Sequence, residues 1–308
     1  QGDGAEVVLR VVDAGGGALA DIPVELLIRR GSALRPTAAG DRRRGATDAR
    51  GDAVFAGLEA DLRVEVRVRS PRHADRVVAV PSRLQAGERI DLGVITLAEG
   101  GSVTGRVYGL DGAPAAGVPV LAWSPLMNPK GGNALAARAA AMRRGTRDED
   151  ARETVTDAEG RYRIDGVGEG QILVRARPAR APQRERRGLE CVASEVLSGV
   201  DFQLIEGWAL AGRVLQKDEV PIVKATLFIN AQGEGALLGR LLDASGSEPD
   251  AITDTEGRFR IEGLDPELSY RIAASATGFV DRQRIQVPKG PGEGLTIALD
   301  PAPYVEVR

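Results

Sequence analysis

Carboxylates are plentiful in this chain, with 44 Asp and Glu, but the residue types of imidazole and thiol chemistry are nearly absent. His73 is the only histidine and Cys191 the only cysteine among 308 residues. An imidazole-based triad or a histidine–cysteine zinc site therefore has almost nothing to be built from. His73 follows Arg72 in a polar turn and reads as a solvated side chain. Cys191 reads as a small buried hydrophobe, and a lone cysteine forms no intrachain disulfide. No Gly-x-Ser-x-Gly, phosphate-binding loop or His-Glu-x-x-His is present. Asp48, Asp157 and Asp254 recur at equivalent places and could each offer calcium one carboxylate, far short of the about six to eight oxygens that ion takes. The acidic run Asp148-Glu149-Asp150 offers more, yet reads first as a solvated loop. No catalytic residue, metal site or cofactor is assigned.

Two basic runs, Arg42-Arg43-Arg44 and Arg184-Glu185-Arg186-Arg187, fall in predicted loops. Neither is interleaved with aromatics, and the net charge is -3, so nucleic acid is not an expected partner. Trp123 ends a predicted strand just before an insertion. An exposed indole there could stack on a sugar, with Arg138 of the insertion as a second ligand contact; the plainer reading packs the ring under its own insertion. Trp208 is expected to pack at the joint between two units.

These residues hang on one repeated stretch. Thr156-Asp157-Ala158-Glu159-Gly160-Arg161-Tyr162-Arg163-Ile164-Asp165-Gly166-Val167 returns as Thr253-Asp254-Thr255-Glu256-Gly257-Arg258-Phe259-Arg260-Ile261-Glu262-Gly263-Leu264. A worn copy runs from Thr47-Asp48-Ala49-Arg50-Gly51 to Gly57-Leu58. Asp-x-x-Gly is a turn: a carboxylate bonds the backbone ahead of it, and a glycine takes positive φ. Asp48 with Gly51, Asp157 with Gly160 and Asp254 with Gly257 are therefore read as structural turn residues. The residues that follow alternate, Tyr162 and Ile164 against Arg161 and Arg163, as a half-buried strand does. Gly166-Val167 and Gly263-Leu264 are expected to end that strand at a second turn.

Three copies predict three tandem units: residues 1–99, residues 100–206 with an insertion at 124–153, and residues 207–301 with an insertion at 231–251. Residues 302–308 read as the start of a fourth. About seven short strands with turn signals fill each unit, so the expected fold is all-β: three tandem seven-stranded antiparallel β-sandwiches, Ig-like or prealbumin-like. Short helices are expected in the insertions, at 134–144 and 236–242. The loop at 29–46 stands at the same topological place. Linkers are nearly absent, which suggests a semi-rigid rod. No apolar run is long enough to span a membrane. The opening Gln1-Gly2-Asp3-Gly4 suits a chain whose signal peptide has been removed, and equally a trimmed chain.

On these residues the units resemble the carboxypeptidase regulatory-like domain, a transthyretin-like (prealbumin-type) sandwich. The carriers are Val103-Thr104-Gly105-Arg106-Val107, Gly117-Val118-Pro119-Val120 and the repeated motif; in the third unit, Ala211-Gly212-Arg213-Val214 and Ala276-Thr277-Gly278-Phe279. The first unit resembles the family less, lacking Gly-Arg in its first strand and the aromatic of the motif. The resemblance implies non-catalytic modules of secreted or surface proteins, sometimes beside an enzyme or in an outer-membrane receptor. The related Cna-B type carries a Lys–Asn isopeptide crosslink. The first unit has no lysine or asparagine and the closing strands of the others no asparagine, so that crosslink is not a general feature here.

The function expected is a non-enzymatic extracellular, cell-surface or periplasmic structural module that presents loops to a protein partner or to further copies. A carbohydrate-binding module using Trp123, with a polysaccharide partner, is the alternative. An accessory region of a larger secreted peptidase or outer-membrane receptor is a third reading.

Overall fold

Alternation decides where each strand goes. In the computed structural model the described residues are 4–29, 42–80, 82–123, 151–232, 249–288 and 292–302. The first unit holds β1 (Ala5–Val12), β2 (Pro23–Arg29), β3 (Arg42–Ala46), β4 (Asp52–Leu58), β5 (Arg63–Val68), β6 (Arg76–Ala79) and β7 (Arg89–Thr96). They form a three-stranded sheet, β4-β1-β7, and a four-stranded sheet, β3-β2-β5-β6. Val7, Leu9 and Val11 of one sheet and Leu26, Val64, Val66 and Val68 of the other belong to a single buried cluster. The face predicted from Leu62, Val64, Val66 and Val68 is buried throughout.

The second unit repeats this with β8 (Gly101–Tyr108), β9 (Pro119–Trp123), β10 (Arg152–Val155), β11 (Arg161–Val167), β12 (Gly170–Ala176) and β13 (Arg184–Cys191). Its closing strand comes in two pieces, β14 (Val196–Leu197) and β15 (Phe202–Gln203), both on β8. The third unit has β16 (Trp208–Leu215), β17 (Thr226–Gln232), β18 (Ala251–Ile252), β19 (Arg258–Leu264), β20 (Ser269–Ser275), β21 (Arg282–Gln286) and β22 (Gly292–Ala298). Each of these units has its own buried cluster as well. The described residues are all-β; the predicted helices at 134–144 and 236–242, with Arg138, lie outside them, as do Asp148-Glu149-Asp150 and most of 302–308. Among the described residues no helix is long and apolar enough to cross a membrane.

Four expectations are corrected. The sandwiches are not purely antiparallel: β7, β14 with β15, and β22 run parallel to the first strand of their own unit. Parity explains this. Every connection reverses the chain, so a seventh strand runs with the first, and pairing the two makes a parallel ladder. Secondly, the basic runs lie in strands: Arg42-Arg43-Arg44 in β3 and Arg184 to Arg187 in β13. β3 carries no buried residue, so it had no alternation to betray it; backbone pairing with β2 places it, with the Arg44–Glu25 ion pair (2.8 Å) across the two strands. Thirdly, the insertions are shorter than predicted, because β17 runs on to Gln232, β10 begins at Arg152 and β18 at Ala251. Fourthly, β11 and β19 end at Val167 and Leu264 as expected, but Gly166 and Gly263 are not residues of the turn that follows. They sit inside those strands at register shifts, with φ of 71° and 73°, and so are β-bulge positions.

The weak family likeness of the first unit has a packing cause. Gly105 faces Tyr162 and Gly212 faces Phe259 across the first ladder, while Leu9 faces Ala53 at the same place. A Cβ on Gly212 would lie 2.7 Å from the Phe259 ring. The glycine–aromatic pair and the leucine–alanine pair fill one volume in two ways, a swap close-packed cores accept.

Candidate functional site

The repeated turn builds the same local structure three times. Asp48 Oδ1 accepts the N–H groups of Arg50 (2.8 Å) and Asp52 (2.9 Å). Asp157 Oδ1 does so with Glu159 (3.0 Å) and Arg161 (2.7 Å), and Asp254 Oδ1 with Glu256 and Arg258 (both 2.8 Å). The two backbone donors at Asp254 hold its carboxyl below the usual carboxylate range. Gly51, Gly160 and Gly257 all have positive φ. Their carbonyls accept from Val11, Val107 and Val214, each at 2.8 Å. A Cβ on Gly160 would come 2.5 Å from the Val107 carbonyl, so only glycine fits.

Sequence reasoning gave the threonine before each aspartate no role. Thr47, Thr156 and Thr253 are buried. Each hydroxyl accepts a backbone N–H, from Ile22, Val118 or Ala225, at 2.8–2.9 Å, and donates to Leu19, Ala115 or Ile222 at 2.6–2.7 Å. The signal was the repetition itself, Thr-Asp in all three copies. With both functions satisfied, the hydroxyl clamps the second strand to the turn. These carboxylates serve the backbone, and among the described residues no group of three or more His, Cys, Asp or Glu could hold a metal ion.

Chemistry that joins units lies at the first joint. The β5–β6 loop of the first unit meets the entry of the second. Arg152, at the start of β10, sends Nη1 to the Asp165 carbonyl (3.1 Å), on the bulge of its own unit. Its Nη2 donates across the joint to the carbonyls of Ser70 (2.8 Å) and His73 (2.7 Å) and to Asp75 Oδ1. The Arg152 side chain is 12% exposed and that of Asp75 18%. Burial lowers the Arg152 pKa and Asp75 opposes the shift. Asp75 also takes Arg69 Nε at 2.8 Å. The linker is pinned to the same loop: the Ala74 N–H donates to the Ala98 carbonyl (2.9 Å) and that of Gly100 to Arg72 (3.0 Å). Gly100 packs on Gly166, so that a Cβ on Gly100 would lie 2.5 Å from the Gly166 Cα, while a Cβ on Gly166 would lie 2.5 Å from Arg152 Nη1. His73, expected in solvent, is half-buried, its Nδ1 2.8 Å from Ser70 Oγ and its carbonyl inside the clamp.

The remaining predicted residues stand apart from this joint. Trp123 is 3% exposed, clustered with Leu121, Ala151 and Leu173. The Arg175 guanidinium lies 4.9 Å from its ring centroid, so the indole has no open face for a sugar. Trp208 does not bridge two units: it is in the core of the third, edge-on to Tyr270 at 6.2 Å. Cys191 is buried in the second core, and burial raises its pKa.

Residues 209–300 match the model of the carboxypeptidase regulatory-like domain. No curated protein matches the chain. Among solved structures, a Streptococcal ancillary pilin is 12% identical, over 98% of this chain and 100% of its own, with a TM-score of 0.29. The minor pilin of Streptococcus agalactiae is 14% identical, over 68% of this chain and 99% of its own, with a TM-score of 0.28. The Bacillus anthracis TIE protein is 11% identical, over 97% of this chain, with a TM-score of 0.25; the chain spans 51% of that protein.

Proposed function

From a third unit that belongs to the carboxypeptidase regulatory-like domain family, with two siblings of the same strand order, we propose that this chain is a non-catalytic extracellular structural segment. It is a string of sandwiches in which the first joint fixes direction and spacing. The observation that carries this reading is the Arg152 clamp, a buried guanidinium of one unit held by two carbonyls and a carboxylate of the unit before it. A flexible linker would have no use for such a contact, which is weak evidence for stability but good evidence for a specified arrangement.

Its partners are proteins or further copies, reached through the loops read as insertions at 124–153 and 231–251. The cell surface or the periplasm is its proposed place. A polysaccharide partner has less support, because the ring meant to stack on it is buried. Small-angle X-ray scattering on the dilute chain tests the proposal. A rod-like profile that loses definition in Arg152→Ala is expected; a profile of freely moving units in the parent chain would refute it.

A further inference from the structure

The outer face of the three-stranded sheet in the first unit differs from those of its siblings. Glu6, Val8 and Arg10 point outward from β1, because Ala5, Val7, Leu9 and Val11 face the core. Val54 of β4 stands opposite Val8, and Val94 of β7 opposite Arg10. Val54 is 58% exposed and Val94 62%. With Val8 and Arg10 they line an open trough of about 440 Å³ on the flank of the unit.

The fold does not require such a face. In place of Val54 the siblings carry Arg163 and Arg260, in place of Val8 they carry Thr104 and Ala211, and in place of Asp52 they carry Arg161 and Arg258. Arg106 and Arg213 of their first strands therefore each face a second arginine. In the first unit Arg10 faces Asp52, and its Nε and Nη2 close on the two carboxylate oxygens at 2.7 and 2.9 Å. Arg89 Nη1 closes on Glu6 Oε2 at 2.9 Å across the other ladder. The arginine-rich faces of the siblings would repel their own copies, and the first face carries no such excess.

The outward row of β1 reads acid, valine, base: Glu6, Val8, Arg10. Reversed, that row is its own complement. A second β1 laid antiparallel across it at Val8 brings valine to valine, Glu6 to Arg10 of the copy, and Arg10 to Glu6 of the copy. The corresponding rows Ser102, Thr104, Arg106 and Ala209, Ala211, Arg213 have no acid end. We propose that the first unit packs by this face on the same face of a second copy, in a two-fold contact with Val8 and Val54 along the axis. The strands of the two sheets then lie within about 30° of antiparallel, and the second units of the two chains extend in opposite directions. Asp91 lies in the row of Val8 and Val54, so the two Asp91 side chains meet at the rim and oppose the contact. Three strands about seven residues long offer about 330 Å² per copy, under half of the about 800 Å² of a stable partner surface. The contact is accordingly weak. It goes beyond the reading of the chain as a structural segment and does not depend on how the joints behave.

Sedimentation velocity of the whole chain between about 10 µM and about 1 mM reads contacts of this strength. The average mass should climb toward that of a dimer and stop there, and added salt should lower it. Val54→Arg installs what the siblings carry at that place, so the fold accommodates it, and should stay monomeric. Val155→Arg, at an equally exposed valine of the second unit, should associate as the parent does. Glu6→Arg and Arg10→Glu should each stay monomeric, and an equimolar mixture of the two should associate again because the exchanged charges face each other. Asp91→Asn should associate several-fold more tightly than the parent. A parent chain monomeric at about 1 mM, a mass that climbs past the dimer, association lost in Val155→Arg, or association that Val54→Arg and Glu6→Arg both leave intact overturns the docking.

Discussion

At the first joint a guanidinium of the second unit is gripped by three groups of the first; at the second, a proline and a glutamine stand in the equivalent places. The surroundings differ to match. Pro182 occupies the position of Ala74 and has no N–H to give the linker. Among the described residues no backbone bond ties 205–207 to the loop 177–183. The contacts there include packing of Gly207 against Pro182 and of Gly263 near the Ala181 carbonyl, Arg184 and Asp265 at 3.7 Å, and a pull of Arg180 on the Glu262 carboxylate. One fold thus makes a fixed joint and a looser one by exchanging a charged pair that lies outside all three cores.

The comparison can be broken most severely at Asp75. Asp75→Ala leaves the Arg152 charge buried without its counter-ion, and should cost about 3–5 kcal/mol, read as loss of coupled unfolding of the first two units by calorimetry. Arg152→Ala removes the charge as well and should cost less, about 2–3 kcal/mol. Bulge glycines come next. Gly166→Ala forces a Cβ to 2.5 Å from the guanidinium at a φ of 71°, and should cost about 2–3 kcal/mol in denaturant titration. Gly263→Ala meets only the Ala181 carbonyl and should cost about 1–2 kcal/mol.

The contrast can also be erased. Gln183→Asp combined with Pro249→Arg transplants the clamp to the second joint, and should raise coupling there by about 1 kcal/mol, with neither change effective alone. At the small end, Arg184→Ala removes a long ion pair whose arginine is 38% exposed, and should shift stability by less than about 0.5 kcal/mol.

The sandwich was legible wherever one side of a strand faces a core. Tyr162 and Ile164, or Val64 and Val66, announce themselves by period two, and Asp157 with Gly160 announces its turn by the chemistry any such turn needs. β3 was not legible, because Arg42-Arg43-Arg44 buries nothing and is placed by pairing with β2. The end of β11 at Gly166-Val167 was legible, but Gly166 reads in sequence as a turn residue because a bulge and a turn both ask for positive φ. The clamp was invisible for another reason: Ser70, His73, Asp75 and Arg152 are brought together only by folding, across 77 residues from Asp75 to Arg152. Aligning the copies on their threonines would have shown arginine four residues earlier in two of three, which is the one sequence signal this joint emits.

The central claim is that the first joint is fixed and the second is not. Spin labels at Val54 and Val155, and in a second sample at Val155 and Ile252, exposed sites on successive units, would report the two joints by pulsed dipolar spectroscopy; the native thiol is buried in a core. The account predicts a narrow distance distribution for the first pair, a broader one for the second, and broadening of the first in Arg152→Ala. Equal widths for the two pairs, or a first distribution that Arg152→Ala leaves unchanged, would contradict it.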